Sequence, residues 1–438
     1  MDRIGTAHRS VAVIGSGVAG LTSAYVLSGR DRVTLYEADT RFGGHAHTHF
    51  VDRGGGSVVG LDSAFLVYND RTYPTLCRLF AELEVPTQKT DMSMSVRAGA
   101  PGDRLIGGLE YASGRGIGGL FASRASCHPR YLVMLAEVRR FHRAATRMLH
   151  DEPESDLETL RSFLDRQRFS RIFVDYFMTP LVAAVWSCSP EHAMSYPARY
   201  LFDFLEHHEM LSVSGLSTWR TVVGGSATYV QAVVSRLQEV SSGTPVRLVR
   251  RVSAGVVVQT DGTRPRIFDA AVIAAHPNEA LQMLDPPTPA ECAVLGAIPY
   301  STNSALLHTD GSLLPRRLRA RASWNYLVTA SRDQVVVTYD ISRLMSLTGG
   351  RRFLVTLGGR DLVDPTTVLA EMTYRHPLYT PGSVAARRLL PTLADDRIVY
   401  AGAYHGWGCH EDGAAAGLRA ARRLGADWPA SVRPKAVL

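Results

Sequence analysis

The chain has 438 residues, of which 45% are hydrophobic and 20% are charged. This length and composition are typical of a globular protein with room for two domains, and they exclude a disordered chain. No run of eighteen uncharged apolar residues is present, so no membrane-spanning helix is predicted. The net charge is +7, but the basic residues are almost all arginines, because lysine occurs only at Lys89 and Lys435. Since no basic block is interleaved with aromatic residues, nucleic-acid binding is not predicted.

The five cysteines show neither a CxxC pair nor the Cys/His spacing of a zinc site. This usage is typical of a reducing compartment and predicts no bound metal. The first ten residues are short and polar, which argues against a cleaved secretory signal. We therefore expect a cytoplasmic protein, and contact with a membrane surface stays open.

The N-terminal residues predict the first half of a dinucleotide-binding unit. A β-branched strand, Ser10–Ile14, leads into Gly15-Ser16-Gly17-Val18-Ala19-Gly20, and a helix is predicted to follow. Gly15 permits a tight turn, and Gly17 lets the backbone approach a pyrophosphate. Gly20 lets the helix pack closely on its strand, while the N–H groups that begin the helix favour phosphate.

A second strand completes this unit and supplies an acid. The helix is predicted over residues 21–27, and the strand Arg32–Tyr36 ends at Glu37. A carboxylate at this distance from the glycine loop accepts the ribose hydroxyls of an adenosine. Because it would repel a 2′-phosphate, the sequence argues against NADP.

The residues from Glu37 onward resemble the second signature of the flavin-dependent amine oxidase and carotenoid desaturase superfamily. They read Glu37-Ala38-Asp39-Thr40-Arg41-Phe42-Gly43-Gly44. Paired glycines remove Cβ atoms where backbone must approach a cofactor, and Arg41 offers charged donors to phosphate. The resemblance implies that the cofactor is FAD.

Other landmarks of this superfamily follow in the expected order over roughly residues 10–425. They are the turn Gly224-Gly225-Ser226, the strands 245–249, Gly255–Thr260 and 268–275, the strand 398–402, and the helix 414–424. The resemblance implies that the backbone of Val246 meets the adenine and that the strand ending at Ala275 passes under the cofactor. It also implies that the helix opened by Glu411-Asp412-Gly413 faces the isoalloxazine with its N-terminus.

Within the superfamily, the chain is similar to a bacterial group of predicted NAD/FAD-binding oxidoreductases. The shared stretches are Gly43-Gly44-His45-Ala46-His47-Thr48, residues 68–74, residues 323–326, and His410-Glu411-Asp412-Gly413. Some members are associated with modifying fatty acyl chains of membrane lipids, which implies a lipid-like substrate. The chain departs from the group at Ser63-Ala64, at Ala403-Tyr404 after Gly402, and at Cys409, which allows a different substrate.

These landmarks predict an α/β fold in which a Rossmann-like FAD-binding domain of the glutathione-reductase type carries a discontinuous α+β substrate domain with a mixed sheet. We expect the FAD-binding domain to cover residues 8–85, 215–290 and 391–427, and the substrate domain to cover 86–214 and 291–390.

In the substrate domain, apolar spacing predicts helices over 130–149, 155–167 and 171–178. Alternating or continuous apolar runs predict strands over 300–309, 335–340 and 353–357. One side of the first helix is basic, which is typical of a solvated face or of peripheral membrane contact. Its basic residues are Arg139, Arg140, Arg143 and Arg147.

The residues expected to bind FAD share either a glycine-loop position or a landmark of the resemblance. They are Gly15, Gly17, Val18, Ala19, Gly20, Glu37, Ala38, Arg41, Gly43, Gly44, His45, Thr48, Val246, Ala275, Gly402, Glu411 and Asp412.

The candidate catalytic residues are Tyr404, His405 and His410, which lie just before or at the start of the C-terminal helix. A histidine with a pKa near neutrality could move the proton that accompanies hydride transfer. The alternative is that these side chains only pack against the flavin ring. His45 and His47 are expected on the phosphate side, and Trp324 is expected either in the pocket wall or in the core.

The sequence thus predicts an FAD-dependent oxidoreductase of the desaturase or oxidase type. It would take a hydride from an apolar substrate such as a fatty acyl chain or a natural-product intermediate, and oxygen or a quinone would reoxidise the flavin. The alternatives are a redox-neutral isomerase, an amine oxidase, and a flavoprotein partner of a lipid-modifying methyltransferase. Many amine oxidases hold a water at flavin N5 with a lysine, and neither lysine of this chain matches that position. The oligomeric state is not predicted.

Overall fold

A computed structural model describes residues 8–53, 56–98, 106–151, 157–211, 217–329 and 335–428. Lys435 lies outside these residues. The strands, in chain order, are β1 (Ser10–Ile14), β2 (Arg32–Tyr36), β3 (Thr48–Asp52), β4 (Val58–Asp62), β5 (Tyr68–Asn69), β6 (Thr87–Lys89), β7 (Met94–Ala98), β8 (Glu110–Ser113), β9 (Trp219–Val222), β10 (Glu239–Ser241), β11 (Val246–Val252), β12 (Gly255–Thr260), β13 (Arg266–Phe268), β14 (Ala270–Ile273), β15 (Tyr300–His308), β16 (Trp324–Val328), β17 (Val336–Asp340), β18 (Leu354–Leu357), β19 (Val368–Pro377) and β20 (Ile398–Tyr400).

The helices, in the same order, are α1 (Val18–Ser28), α2 (Pro74–Glu82), α3 (Gly116–Leu120), α4 (Pro129–Asp151), α5 (Leu160–Arg166), α6 (Arg171–Phe173), α7 (Thr179–Trp186), α8 (Pro190–Ser195), α9 (Ala198–His207), α10 (Ala227–Val234), α11 (Pro277–Met283), α12 (Pro289–Gly296), α13 (Ile341–Leu344), α14 (Pro381–Leu393) and α15 (His410–Arg423). A π-helix over Val174–Met178 joins α6 to α7. Among the described residues, no helix combines the length and the apolar character that crossing a bilayer requires.

A parallel sheet in the order β10-β2-β1-β14-β20 carries the dinucleotide loop. Its central strands are buried on both faces, as Val11, Ala12 and Val13 illustrate, which explains their continuous apolar run. In parallel strands the carboxyl ends share one edge, and ligands of such sheets bind outside that edge. The loop 15–20, Ala274 and Gly402 all follow strands at this edge.

Helices α1 and α15 pack so closely that their backbones touch. A Cβ at Gly417 would overlap the carbonyl oxygen of Ala19, and one at Gly413 would lie 2.6 Å from a methyl of Val18. Both positions therefore require glycine. The contact fixes the N-terminus of α15 beside the N-terminus of α1, so two helix dipole ends lie close together at the edge of the sheet.

A second, mixed sheet has the order β19-β15-β18-β17-β16-β7-β8. Strands β7 and β16 are parallel, and the other pairs are antiparallel. Helices α4 to α9 bring together a large apolar core in which Phe141, Phe163, Phe173 and Phe202 are fully buried. The predicted α/β fold class with a mixed sheet is confirmed.

The helices predicted over 21–27 and 130–149 are longer, at Val18–Ser28 and Pro129–Asp151, and three other predicted helices differ more. The helix expected over 155–167 begins at Leu160, where the Thr159 side chain accepts the Ser162 N–H; residues 155 and 156 lie outside the described part. The helix expected over 171–178 becomes a π-helix after Phe173. The helix expected over 414–424 begins earlier, at His410, because Asp412 accepts the N–H of the N-cap residue Cys409.

The carboxylate of Glu411 links α15 to α2. It accepts the N–H groups of Thr75 and Leu76 at 2.9 Å each, at the first turn of α2. These N–H groups have no partner inside their own helix, and a negative charge there also favours the helix dipole. The contact fastens α2 to the end of α15 that faces the dinucleotide loop.

We predict that Glu411→Ala lowers the free energy of unfolding by about 1–3 kcal/mol, because two buried donors lose their acceptor. Urea unfolding followed by circular dichroism measures the change. Glu371→Ala is the matched control, since Glu371 makes only an exposed ion pair with Arg360, and such pairs contribute roughly 0–1 kcal/mol. Equal midpoints for the two variants would show that the link between α15 and α2 is not stabilising.

Candidate active site

A cavity of about 2030 Å³ lies between the carboxyl edge of the parallel sheet and the mixed sheet with its helices. The sheet edge contributes the loop 15–20, and the mixed sheet contributes Trp324, Tyr339 and Leu357. A cavity at this edge is where dinucleotides bind in folds of this kind. Its volume also exceeds the roughly 300–1,000 Å³ of an ordinary ligand pocket.

Most of the residues expected at the cofactor or in catalysis line this cavity. They are Gly15, Gly17, Val18, Ala19, Glu37, Ala38, Gly44, His45, Val246, Ala275, Gly402, Tyr404 and His410. The other expected residues lie outside its lining, namely Gly20, Arg41, Gly43, Thr48, His405, Glu411 and Asp412.

The glycines of the loop 15–20 have different surroundings. A Cβ at Gly15 would lie 2.6 Å from the Ala274 carbonyl oxygen, and Gly15 has a φ of +99°. A Cβ at Gly20 would overlap the Gly15 carbonyl oxygen, whereas one at Gly17 would meet nothing within 4 Å. Gly15 and Gly20 therefore allow close contacts between backbone segments, Gly15 with Ala274 and Gly20 with Gly15. Gly17 faces free space at the N-terminus of α1, where backbone N–H groups can receive a phosphate.

Glu37 is fixed to the loop while it lines the cavity. Its carboxylate accepts the N–H of Ser16 at 2.9 Å and the N–H of Asp39 at 2.8 Å, together with the Ser16 hydroxyl. A carboxylate has about four acceptor positions, so one remains for a further donor such as a ribose hydroxyl.

Several buried polar atoms near the loop lack a hydrogen-bond partner within the described chain. They include Arg41 Nη1, His45 Nε2 and His276 Nδ1. Arg41 also donates to the Gly44 carbonyl at 2.7 Å, and Gly44 lies against Gly17, since a Cβ there would be 3.0 Å from the Gly17 Cα. Buried polar atoms normally have partners. Arg41 Nη1 is a charged donor and therefore fits an anionic group such as the FAD diphosphate, whereas each neutral histidine has one donor and one acceptor nitrogen.

Neutral histidines surround this part of the cavity. The His45 ring lies 5.3 Å from that of His376 and 5.2 Å from that of Tyr374, and the His276 ring lies 4.4 Å from that of Tyr300. Burial is the largest cause that lowers the pKa of His45 and His276 to about 4 and that of His376 to about 3. These rings therefore offer hydrogen bonds without adding charge. His47, expected on the phosphate side, instead hydrogen-bonds the Tyr374 hydroxyl at 2.9 Å.

The three candidate catalytic residues have different environments. The Tyr404 hydroxyl is buried and has no hydrogen-bond partner among the residues that the structure describes. Burial raises its pKa, so the phenol stays neutral. His410 hydrogen-bonds the Tyr229 hydroxyl at 2.7 Å and stacks on Phe65 at 3.8 Å between ring centroids. His405 lies behind the Tyr404 ring, at 4.8 Å between centroids, and does not reach the cavity.

The pKa values of His405 and His410 are lower than the near-neutral pKa that the predicted role in proton transfer requires. Proton transfer by an imidazolium needs a pKa near neutrality, but burial lowers the pKa of both His405 and His410 to about 3. His410 is therefore a neutral imidazole beside the cavity, where it can orient Tyr229 or a ligand but carries no charge at pH 7.

Two other expected cofactor residues have structural partners. Thr48 donates to Asp62 at 2.6 Å, and Asp62 also accepts the N–H of Ser226 at 2.9 Å. Gly225 also packs against Thr48. These contacts hold the turn Gly224-Gly225-Ser226 against the hairpin of β3 and β4. Asp412 accepts the Cys409 N–H at 2.8 Å and caps α15.

Sequence reasoning missed the second half of the cavity, which is apolar. Helices α3, α4 and α7 and the π-helix line it with Ile117, Leu120, Phe121, Leu132, Leu135, Val138, Phe177, Leu181, Ala184 and Val185. The apolar spacing around Leu135 and Val138 predicts a helix over 130–149 and no more. Nothing in that spacing distinguishes a side chain that meets another helix from one that borders a cavity.

Two more residues lie at the cavity. Lys89 lines it as an exposed residue at the end of β6. Cys409 also lines it, and burial raises the pKa of its thiol well above the usual value. The thiol therefore stays protonated, which disfavours a nucleophilic role. Trp324 is both a wall of the cavity and packed edge-on against Tyr339 at 5.2 Å.

A glycine loop, an acid after the second strand and a large cavity at the carboxyl edge of the parallel sheet are typical of a dinucleotide-dependent enzyme. The chain belongs to the family of flavin-containing amine oxidoreductases, whose model matches residues 18–341. It is an FAD-dependent oxidoreductase, and FAD is its cofactor.

Solved structures and one curated protein are similar to the chain. Cyclohexylamine oxidase from Brevibacterium oxydans IH-35A is 15% identical with a TM-score of 0.68, over 95% of this chain and 98% of that one. The CLA-producing fatty acid isomerase from P. acnes is 14% identical with a TM-score of 0.68, over 97% of this chain and 100% of that one. Tryptophan 2-monooxygenase from Allorhizobium ampelinum is 53% identical over 47 residues, which are 10% of this chain and 6% of that protein. The match thus spans a small part of this curated relative.

We predict that Gly17→Val folds normally but loses FAD. The backbone at Gly17 has φ −62° and ψ 174°, which any residue adopts, and a Cβ would meet no protein atom within 4 Å. The new side chain would instead fill the space that a diphosphate needs. Flavin absorbance per protein measures the loss, and Gly311→Val is the control, because a Cβ at Gly311 is equally unhindered. If Gly17→Val kept its full flavin content, the diphosphate of FAD would not bind beside Gly17, and the prediction would be wrong.

We also predict that stability falls in acid because the buried histidines are neutral. Unfolding returns their pKa to about 6.5, whereas in the folded chain that of His276 is lowered to about 4. The unfolded chain therefore takes up protons that the folded chain does not. Stability is then full above pH 6.5 and is lost as the pH falls through about 4.

Urea midpoints measured from pH 7 to pH 4 report this loss. His276→Phe keeps a ring beside Tyr300 but cannot titrate, so its midpoint should fall less steeply than that of the wild type. His192→Gln, which changes an exposed residue, should keep the wild-type slope. Parallel curves for wild type and His276→Phe would contradict the assignment.

Proposed function

We propose that this FAD-dependent oxidoreductase passes a hydride from one saturated carbon of an apolar substrate to the flavin, while the neighbouring carbon releases a proton to water, and so forms a carbon–carbon double bond. The observation that carries the proposal is the apolar half of the cavity, which is continuous with the FAD-directed half. The substrate class is a fatty acyl chain or a similarly apolar natural product.

The chemistry of the lining supports a hydrocarbon ligand. The side chains from α4, the π-helix and α7 are mainly aliphatic or aromatic, including Leu135, Phe177 and Leu181, while Arg139 and His142 are polar lining residues on α4. Burying each methylene of a ligand against such side chains contributes roughly 0.8 kcal/mol. A chain of several methylenes would therefore bind without any specific polar contact.

The carboxylates of the cavity argue against an ammonium substrate. Among the described lining residues, Asp91 pairs with Arg343 at 2.6 Å and Glu279 pairs with Arg375 at 2.9 Å. Glu209 accepts from Ser217 and pairs with Arg71. Because each of these acids already has a partner, none offers a free charge to an amine. The chain has only two lysines, and neither matches the lysine that holds a water at flavin N5 in many amine oxidases, which also argues against amine oxidation.

When bound, FAD supplies the hydride acceptor. The chain would hold the diphosphate at the loop 15–20 and the ribose at Glu37. Tyr404 and His410 are neutral at pH 7. Their side chains would therefore border the space between the two halves of the cavity and exclude water from it without placing a charge there. Dry surroundings protect a reduced intermediate from solvent.

Two other reactions stay compatible with the family. A redox-neutral isomerisation of an acyl double bond is supported by the fold shared with the fatty acid isomerase. Amine oxidation is supported by the family itself and by the fold shared with cyclohexylamine oxidase. The apolar lining favours the acyl reactions over the amine reaction.

A lipid-like substrate implies that the enzyme works beside a membrane. We propose a peripheral protein on the cytoplasmic side. All five cysteines are unpaired, as expected for a reducing compartment. The electron acceptor would be oxygen or a quinone.

We predict that acyl substrates bleach the flavin under anaerobic conditions and that aliphatic amines do not. Leu181→Trp should weaken bleaching by acyl chains at least tenfold, since the larger ring fills the apolar half. Leu389→Trp, on an exposed part of α14, is the control. Bleaching by amines alone would make the enzyme an amine oxidase. A shifted double bond without bleaching would make it an isomerase.

A further inference from the structure

The apolar half of the cavity opens to the surface through exposed apolar side chains. Ile117 is 79% exposed, and Phe121 and Leu132 are also exposed, yet all three line the cavity. These residues lie on α3, just after it, and in the first turn of α4. Side chains that border both the cavity and the solvent mark its mouth.

More apolar surface adjoins this mouth. Leu318 is 71% exposed and Val133 is 53% exposed. The short turn Leu318–Ala320 packs on α3, since a Cβ at Gly119 would lie 3.5 Å from the Arg319 carbonyl oxygen. We call Ile117, Phe121, Leu132, Val133 and Leu318 the mouth rim. Clustered exposed apolar side chains of this kind mark an interaction surface.

The chain around the mouth rim is strongly basic. Residues 113–133 contain three arginines and residues 312–323 contain four, and neither segment contains an aspartate or a glutamate. Arg124, Arg316, Arg317 and Arg319 are exposed. The buried carboxylate of Glu110 accepts the backbone N–H groups of Arg316 and Arg317 at 2.9 and 2.8 Å, which fixes this basic loop beside α3.

The basic side of α4, which the sequence suggested for a membrane, is exposed, and one of its arginines is partly engaged by the fold. Arg140 donates to the carbonyls of Gln167 and Arg168 at 3.1 Å each and pairs with Glu137. The mouth rim differs from this side of α4 because it combines exposed apolar groups with exposed arginines.

We propose that the mouth rim docks on an anionic phospholipid bilayer and opens the apolar half of the cavity toward the acyl chains. Apolar side chains enter the interface while arginines meet the phosphate groups, which is the pattern of peripheral membrane surfaces. The proposal rests on the proposed function for the identity of the ligand, but docking itself needs no turnover.

The test is sedimentation of the FAD-loaded full chain with vesicles. We expect binding to vesicles of phosphatidylcholine with phosphatidylglycerol, and much weaker binding to phosphatidylcholine alone or at high salt. Val133→Glu with Leu318→Glu changes two rim residues outside the cavity lining, and it should reduce binding at least tenfold. Ile267→Glu is the control, since Ile267 is 58% exposed on β13, and it should bind like the wild type.

Three results would overturn the proposal. They are no binding by the wild type, equal binding by the rim variant, and a wild-type dimer that the rim variant abolishes in size-exclusion chromatography. The last result would make the rim an interface between two copies of the chain. Anaerobic bleaching by detergent-dispersed acyl substrate separates this test from the proposed function. Vesicle binding without bleaching would contradict only the proposed acyl chemistry. Bleaching without vesicle binding would contradict only the proposed membrane docking.

Discussion

The site depends on backbone contacts that leave no room for side chains. Gly15 meets the end of β14, Gly20 meets Gly15, and Gly417 of α15 meets Ala19 of α1. These contacts draw three elements from distant parts of the chain to one edge of the parallel sheet. Because they are backbone contacts, the loop and both helix ends are rigid before any ligand arrives, and the N–H groups of α1 are left facing the cavity.

Burial then sets the electrostatics of that edge. Unpaired polar atoms of Arg41, His45 and His276 lie close to the loop, yet burial keeps the histidines neutral. The positive potential at this edge therefore comes from the helix dipoles and from Arg41, which lies outside the lining and donates to Gly44, and the imidazoles add hydrogen bonds without added charge. This combination suits a cofactor that has an anionic diphosphate at one end and a neutral ring system at the other.

How far the sequence predicts this structure depends on the range of the interactions. Strands β1 and β2 have the bounds predicted from the local sequence, and β12 has the bounds that the resemblance implies. Gly15 has the positive φ of a tight turn, and Gly20 packs closely, as expected for each. The start of α15 at His410 could not be read locally, because it depends on the bond between Asp412 and Cys409. Glu411 meets α2, 335 residues earlier in the chain, and no local pattern reveals such a partner. The low pKa of His410 likewise follows from burial that only the folded chain creates.

The division of the cavity into two halves has a physical consequence for substrate choice. The glycine-rich half offers charge and hydrogen bonds, whereas the half bordered by α4 and α7 is lined mainly by aliphatic and aromatic side chains, with Arg139 and His142 as polar residues on α4. A ligand that entered the second half with an unpaired charge would lose its hydration without compensation, which is costly in an apolar site. The same argument extends outward to the mouth, where exposed apolar side chains lie among arginines. For the proposed acyl substrate, this desolvation cost would favour a hydrocarbon over a charged amine from the mouth to the apolar half of the cavity.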